Sequence, residues 1–71
     1  MNNVIGIELG RKIKKLRRKR GITQEQLAEL IETSYKYIQR IEGKNPPDVR
    51  LTTIVRLAKA LKVKPAELLK F

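Results

Sequence analysis

The chain has 71 residues, room for one domain around one small core. Seventeen Lys and Arg against seven Asp and Glu leave a formal charge of +10. Cysteine and histidine are both absent, which excludes disulfides, thiolate ligands or nucleophiles, and imidazole bases.

That charge favours a polyanionic partner: nucleic acid first, an anionic membrane surface second. The plain alternative is a solvated surface selected for solubility. Aromatics are limited to Tyr35, Tyr37 and Phe71, so stability must come from aliphatic packing. No apolar run is long enough to cross a bilayer and no signal-peptide pattern is present, so a cytoplasmic location is expected.

Asn2 and Asn3 suggest a loose start, while Val4, Ile5 and Ile7 are apolar and cover either the core edge or a partner subunit. The first predicted helix runs from Ile7 or Glu8 to Arg20, with Leu9, Ile13 and Leu16 as its buried stripe and Arg17 beside them. Glu8 suits the positive helix start, and the basic tail suits its negative end. Eight of the seventeen basic residues lie between Arg11 and Arg20, surround the helix, and read mostly as steering charge. Gly21 supplies a left-handed stop.

Two short amphipathic patterns follow. Helix two is predicted over Gln24–Ile31, with Leu27, Ala28, Leu30 and Ile31 at helical spacing. Thr23 can cap it, and Gln26 three residues on completes a capping box. Helix three is predicted over Ser34–Glu42 on Ile38 and Ile41, capped by Thr33 or Ser34 and stopped by Gly43 in a left-handed conformation. Two such helices crossed over a small residue, here Ala28, form a helix-turn-helix unit over 24–43. Ser34, Tyr35, Lys36, Gln39 and Arg40 form the polar face opposite Ile38 and Ile41.

Pro46-Pro47 enforces a loop. Helix four is predicted from Leu51 to Leu61, with Leu51, Ile54, Leu57, Ala58 and Leu61 at helical spacing. Val63 bridges to helix five over Ala66–Lys70, with Pro65 in its first turn. Val63 and Leu68 fit the inward stripe, which leaves Leu69 and Phe71 as an exposed apolar patch.

The run GITQEQLAELIETSYKYIQRIEGKNP, with the arginine of LRRKRG before it and LAKALKV after it, resembles the lambda-repressor-like helix-turn-helix family. This is the Cro and phage-repressor group of XRE-type regulators, and the likeness extends from about Leu9 to Leu69. It implies an all-α, compact five-helix DNA-binding domain, residues 1–71 forming a single domain. It also implies a sequence-specific transcriptional regulator, expected to be a repressor, that reads the major groove of double-stranded DNA with the helix Ser34–Glu42. The expected assembly is a homodimer on a palindromic operator, paired through the C-terminal patch; the alternatives are that Leu69 and Phe71 fold back on their own domain or that Val4, Ile5 and Ile7 make the contact.

The resemblance implies base contacts from Ser34, Tyr35, Lys36, Gln39 and Arg40, with Tyr35, Lys36 and Arg40 at base edges. Lys and Arg can donate to guanine, Arg with a fixed fork; Tyr35 meets a thymine methyl or lies along a phosphate. Phosphate contacts are implied for Thr23, Gln24, Tyr37, Lys44 and Asn45. Gln24 also opens a helix whose free amides favour an anion. Tyr37 reads equally well as half-buried packing, and Arg50 is a weaker phosphate candidate. Relatives pair the arginine matching Arg17 with the glutamate matching Glu42, so Arg17 reads as half of a structural ion pair more than as a phosphate binder.

Three positions depart from the family pattern: Glu32 and Lys62, where relatives often carry glycine, and Arg50, where they often place a Ser or Thr cap. Asp48, Thr52 or Thr53 would have to cap helix four instead.

An enzyme is not expected. Glu25, Glu29 and Glu32 form a solvated helix edge, no carboxylates stand at metal spacing, and no glycine-rich phosphate loop exists, so neither cofactor nor metal is implied. The competing reading is an RNA-binding or protein-interaction module without operator specificity. RNA readers usually present stacking aromatics on a sheet, and no strand pattern is visible.

Overall fold

The computed structural model describes residues 3–71. Of the expected loose start, Asn2 lies outside the described residues. The elements are α1 (Val4–Lys19), α2 (Gln24–Leu30), α3 (Tyr35–Ile41), α4 (Leu51–Ala60) and α5 (Pro65–Leu68). No strand occurs among the described residues, and none of their helices is long and apolar enough to cross a membrane.

All five helices contribute to one aliphatic core. Ile13 of α1, Leu27 of α2, Ile38 and Ile41 of α3, Leu57 of α4 and Leu68 of α5 are its fully buried large side chains. Fully burying each such side chain stabilises the fold by about 1.5–3 kcal/mol. Leu16, Ile22, Tyr37, Val49 and Val63 close the rim. Ala28 is buried where α2 and α3 meet, the position that needs a small side chain.

Three turns share one hydrogen-bond pattern. After α1, Gly21 N–H donates to Arg18 O and Ile22 N–H to Arg17 O. After α2, Glu32 and Thr33 donate to Glu29 O and Ala28 O; after α4, Lys62 and Val63 donate to Lys59 O and Ala58 O. This is the Schellman closure, which requires one left-handed residue. Gly21 has φ 70°, and Glu32 and Lys62 each have φ 58°. The two non-glycine residues each cost about 1 kcal/mol relative to glycine.

Several sequence expectations need correction. The first helix begins at Val4, earlier than Ile7, because Ile7 N–H bonds to Asn3 O while Asn3 Nδ2 donates to Pro46 O at 2.9 Å. That contact is 43 residues away in sequence, so local periodicity carries no sign of it. Glu8 therefore sits in the second turn of α1. Gly43 is not left-handed: α3 ends right-handed at Glu42, and Gly43 N–H bonds to Arg40 O. Leu30 and Leu51, which fit the helical spacing of the apolar residues, are exposed, Leu30 at the last position of α2 and Leu51 at the first of α4. Arg50 is the N-cap of α4 but makes no side-chain capping bond. α2, α3 and α4 each stop one residue short of the predicted end, on Ile31, Glu42 and Leu61 as caps. α5 stops at Leu68, two residues before the predicted Lys70.

Gly10 carries a constraint that the sequence reading missed. It is buried where α1 meets the end of α3, and a Cβ there would fall 2.2 Å from Ile41 O. The obstacle is backbone, so no rotamer change relieves it. Gly10→Ala should lower stability by about 1–3 kcal/mol, since overpacking outweighs the improved helix propensity. Urea denaturation of the two proteins checks this; a more stable variant would mean that α1 and α3 can separate freely.

Candidate nucleic-acid interface

The polar face of α3 is held out by what lies behind it. Ile38 and Ile41 are buried, so Tyr35, Lys36, Gln39 and Arg40 stand exposed on the opposite side. Ser34 is the N-cap: its Oγ accepts from Tyr37 N–H at 3.1 Å. Its hydroxyl proton remains available to an acceptor. Tyr37 is half-buried against the core, while Lys44 and Asn45 are exposed beyond the helix.

α2 begins with a closed capping box. Thr23 Oγ1 accepts from Gln26 N–H at 3.0 Å, and Thr23 N–H donates to Gln26 Oε1 at 2.8 Å. Thr23, Gln24 and Tyr35 line one surface groove together with Arg17, Arg18 and Glu25. The start of α2, the start of α3 and the end of α1 thus open onto a common space. Lys44 lines a second groove with Arg11, Lys14 and Glu42. Arg50 lines neither groove.

One buried cluster ties these parts together. Arg17 Nε donates to Glu42 Oε2 at 2.8 Å, and Nη2 donates to Glu42 Oε1 at 3.0 Å. Nη1 donates to Ile22 O at 2.9 Å. Gln24 Nε2 donates to the same Glu42 Oε1 at 3.0 Å. The Glu42 side chain is 2% exposed and that of Arg17 9%, so the pair is buried and bidentate. The hydrogen-bonded Glu42 carboxylate raises the Arg17 pKa above its ordinary value, against the opposing effect of burial. No buried side-chain nitrogen or oxygen among the described residues lacks a partner.

The Gln24 bond and the Ile22 carbonyl bond went unseen in the sequence. Gln24 has two amide N–H groups; one is held by Glu42, and the other is free to meet an anion. The pattern TQEQ signals a cap, and nothing in it signals a reach of 18 residues to Glu42.

A short polar helix, seated on two buried isoleucines and joined to its predecessor by a Schellman turn, is the second half of a helix-turn-helix. The chain belongs to the Cro/C1-type HTH DNA-binding family, whose model matches residues 12–71. It is similar in structure to the restriction-modification controller protein C.AhdI from Aeromonas hydrophila, at 33% identity and a TM-score of 0.83. That match covers 89% of this chain and 94% of the other. It is also similar to a hypothetical transcription factor, NHTF, from Neisseria, at 27% identity and a TM-score of 0.87, covering 93% and 75% of the two chains. No curated protein matches the chain.

Arg17→Ala would leave Glu42 buried without its cation and Ile22 O without its donor. The expected loss is about 3–5 kcal/mol, against about 0.5 kcal/mol or less for the exposed Lys15→Ala. Thermal unfolding followed by circular dichroism compares them. Equal melting temperatures, with DNA affinity lost only in Arg17→Ala, would make Arg17 a phosphate ligand.

Proposed function

We propose that this protein, a single helix-turn-helix domain per chain, is a sequence-specific transcriptional regulator that binds a duplex operator and represses by occluding a promoter. The observation that carries the reading is the exposed row Tyr35, Lys36, Gln39 and Arg40 on a helix whose other face is anchored by the buried Ile38 and Ile41. Such a helix enters the major groove, and its N-terminal residues meet base edges. In this reading Ser34, Tyr35, Lys36, Gln39 and Arg40 contact bases. Thr23, Gln24, Lys44 and Asn45 contact phosphates and set the register. Tyr37, with its ring at the core rim, has only its hydroxyl to offer a phosphate. The likeness to a restriction-modification controller and to a transcription factor supports a regulatory role.

A random duplex pool should yield one preferred sequence, bound with affinity that falls steeply as salt rises. Arg40→Ala should then lose about 1–3 kcal/mol at one base position and relax preference there, whereas Gln24→Ala should weaken all sequences alike. Equal affinity for unrelated duplexes at every salt concentration would reject operator specificity.

The regulator acts as a homodimer on a palindromic site in this reading. Val4, Ile5 and Leu69, all exposed, line one apolar groove with Leu9, Val49 and Ile54. The two candidate contact regions, the N-terminal turn and the C-terminal leucine, are therefore one surface. Asp48 is the one charged residue lining it, so two copies of a +10 chain meet there with little like-charge repulsion. Phe71 stands apart, beside Lys12, Lys15 and Lys70. Pairing would set the two copies of α3 roughly 34 Å apart, one DNA turn. Sedimentation should show a dimer for the wild type and a monomer for Ile5→Asp, Leu69→Asp. An unchanged dimer in the double variant would move the interface elsewhere.

A further inference from the structure

Apart from the buried Arg17, the basic residues of α1 form two neighbouring stripes whose surroundings differ in part, since Arg11 also lines a small groove with Lys12, Lys15 and Lys70. Lys12, Lys15 and Lys19 follow one another at helical spacing, as do Arg11, Lys14 and Arg18. On the first stripe, Lys12 Nζ lies 3.2 Å from Glu67 Oε2, and Lys70 Nζ lies 3.9 Å from the other oxygen of the same carboxylate. Of that stripe, Lys12 alone is paired with α5, through a carboxylate it shares with Lys70.

The second stripe borders both grooves of the interface. Arg11 and Lys14 line the groove that holds Lys44, and Arg18 lines the groove that holds Gln24 and Tyr35. The acidic neighbours do little to cancel its charge. Glu42 lines the first groove, but both its oxygens are bound to Arg17 and its side chain is buried. Glu8 approaches Arg11 at 3.6 Å in an exposed pair that contributes little. Glu25 is the one carboxylate lining the second groove, and it is exposed.

We propose that Arg11, Lys14 and Arg18 form a third phosphate-binding segment on the same duplex, a ridge joining the groove at Lys44 to the groove at Gln24. The inference rests on the DNA-binding reading above and extends it to α1. From Arg11 to Arg18 the helix rises about 10 Å, comparable to three phosphate steps of one strand measured along the duplex axis. These contacts add affinity and carry no base preference.

The test is the salt dependence of binding to the duplex selected from the random pool and to a scrambled duplex of equal length. The variant Arg11→Gln, Lys14→Gln, Arg18→Gln is compared with the charge-matched control Lys15→Gln, Lys19→Gln, Lys59→Gln. Loss of three phosphate contacts should reduce the slope of log affinity against log salt by about 2.7, equally on both duplexes, and the control should keep the wild-type slope. Arg18→Gln alone should reduce it by about 0.9. Thermal melting confirms that each variant is folded. Equal slopes for the ridge variant and the control overturn the proposal. A wild type that shows no salt-dependent duplex binding overturns the DNA reading itself, which is a separate result.

Discussion

The structure depends on the contact between Arg17 and Glu42. An arginine fork fills both carboxylate oxygens and still has a donor for the carbonyl of Ile22. The backbone of Arg17 joins in, since its own carbonyl accepts from Ile22 N–H. One residue thereby fixes the end of α1, the turn after it and the far end of α3. Gln24 adds the first residue of α2 through the same carboxylate. A lysine would not substitute, because a point charge cannot supply three directed bonds in one plane.

The cluster is costly as well as useful. Two charges have left water, and a well-packed apolar pair can often be equally stable. What the ion pair supplies beyond stability is direction. The helices that would touch DNA are short, seven residues each, and too short to be stable alone. They hold their orientation because bonds of defined geometry join their ends, in addition to the non-directional packing of Leu27, Ile38 and Ile41.

Much of this was legible in the sequence. Five helices, the capping box at Thr23 and the polar face of α3 follow from periodicity and cap chemistry, which are local signals. Glu32 and Lys62 stood out only through the family resemblance, as positions where relatives often carry glycine, and the structure shows both to be left-handed. The shifted helix ends and Gly43 are errors of local geometry, whereas others depend on contacts distant in the chain. The extra turn of α1 needs Pro46, Gly10 answers to a carbonyl of Ile41, and Gln24 answers to Glu42. Leu30 and Leu51 fit a helical repeat equally well whether or not anything packs against them. The sorting of the α1 cations likewise required knowing that α5 and the α3 terminus lie on different sides of that helix.

The close passage of Gly10 over Ile41 separates two properties of α3. Its distance from α1 is limited by the backbone of Ile41 and Glu42, outside the exposed row. Tyr35, Lys36, Gln39 and Arg40 project away from that contact. Their identities can change without altering where the helix sits. Such a mount separates what the helix displays from where it is held: a few outward side chains can be exchanged while the placement of α3 against α1 and α2 stays the same.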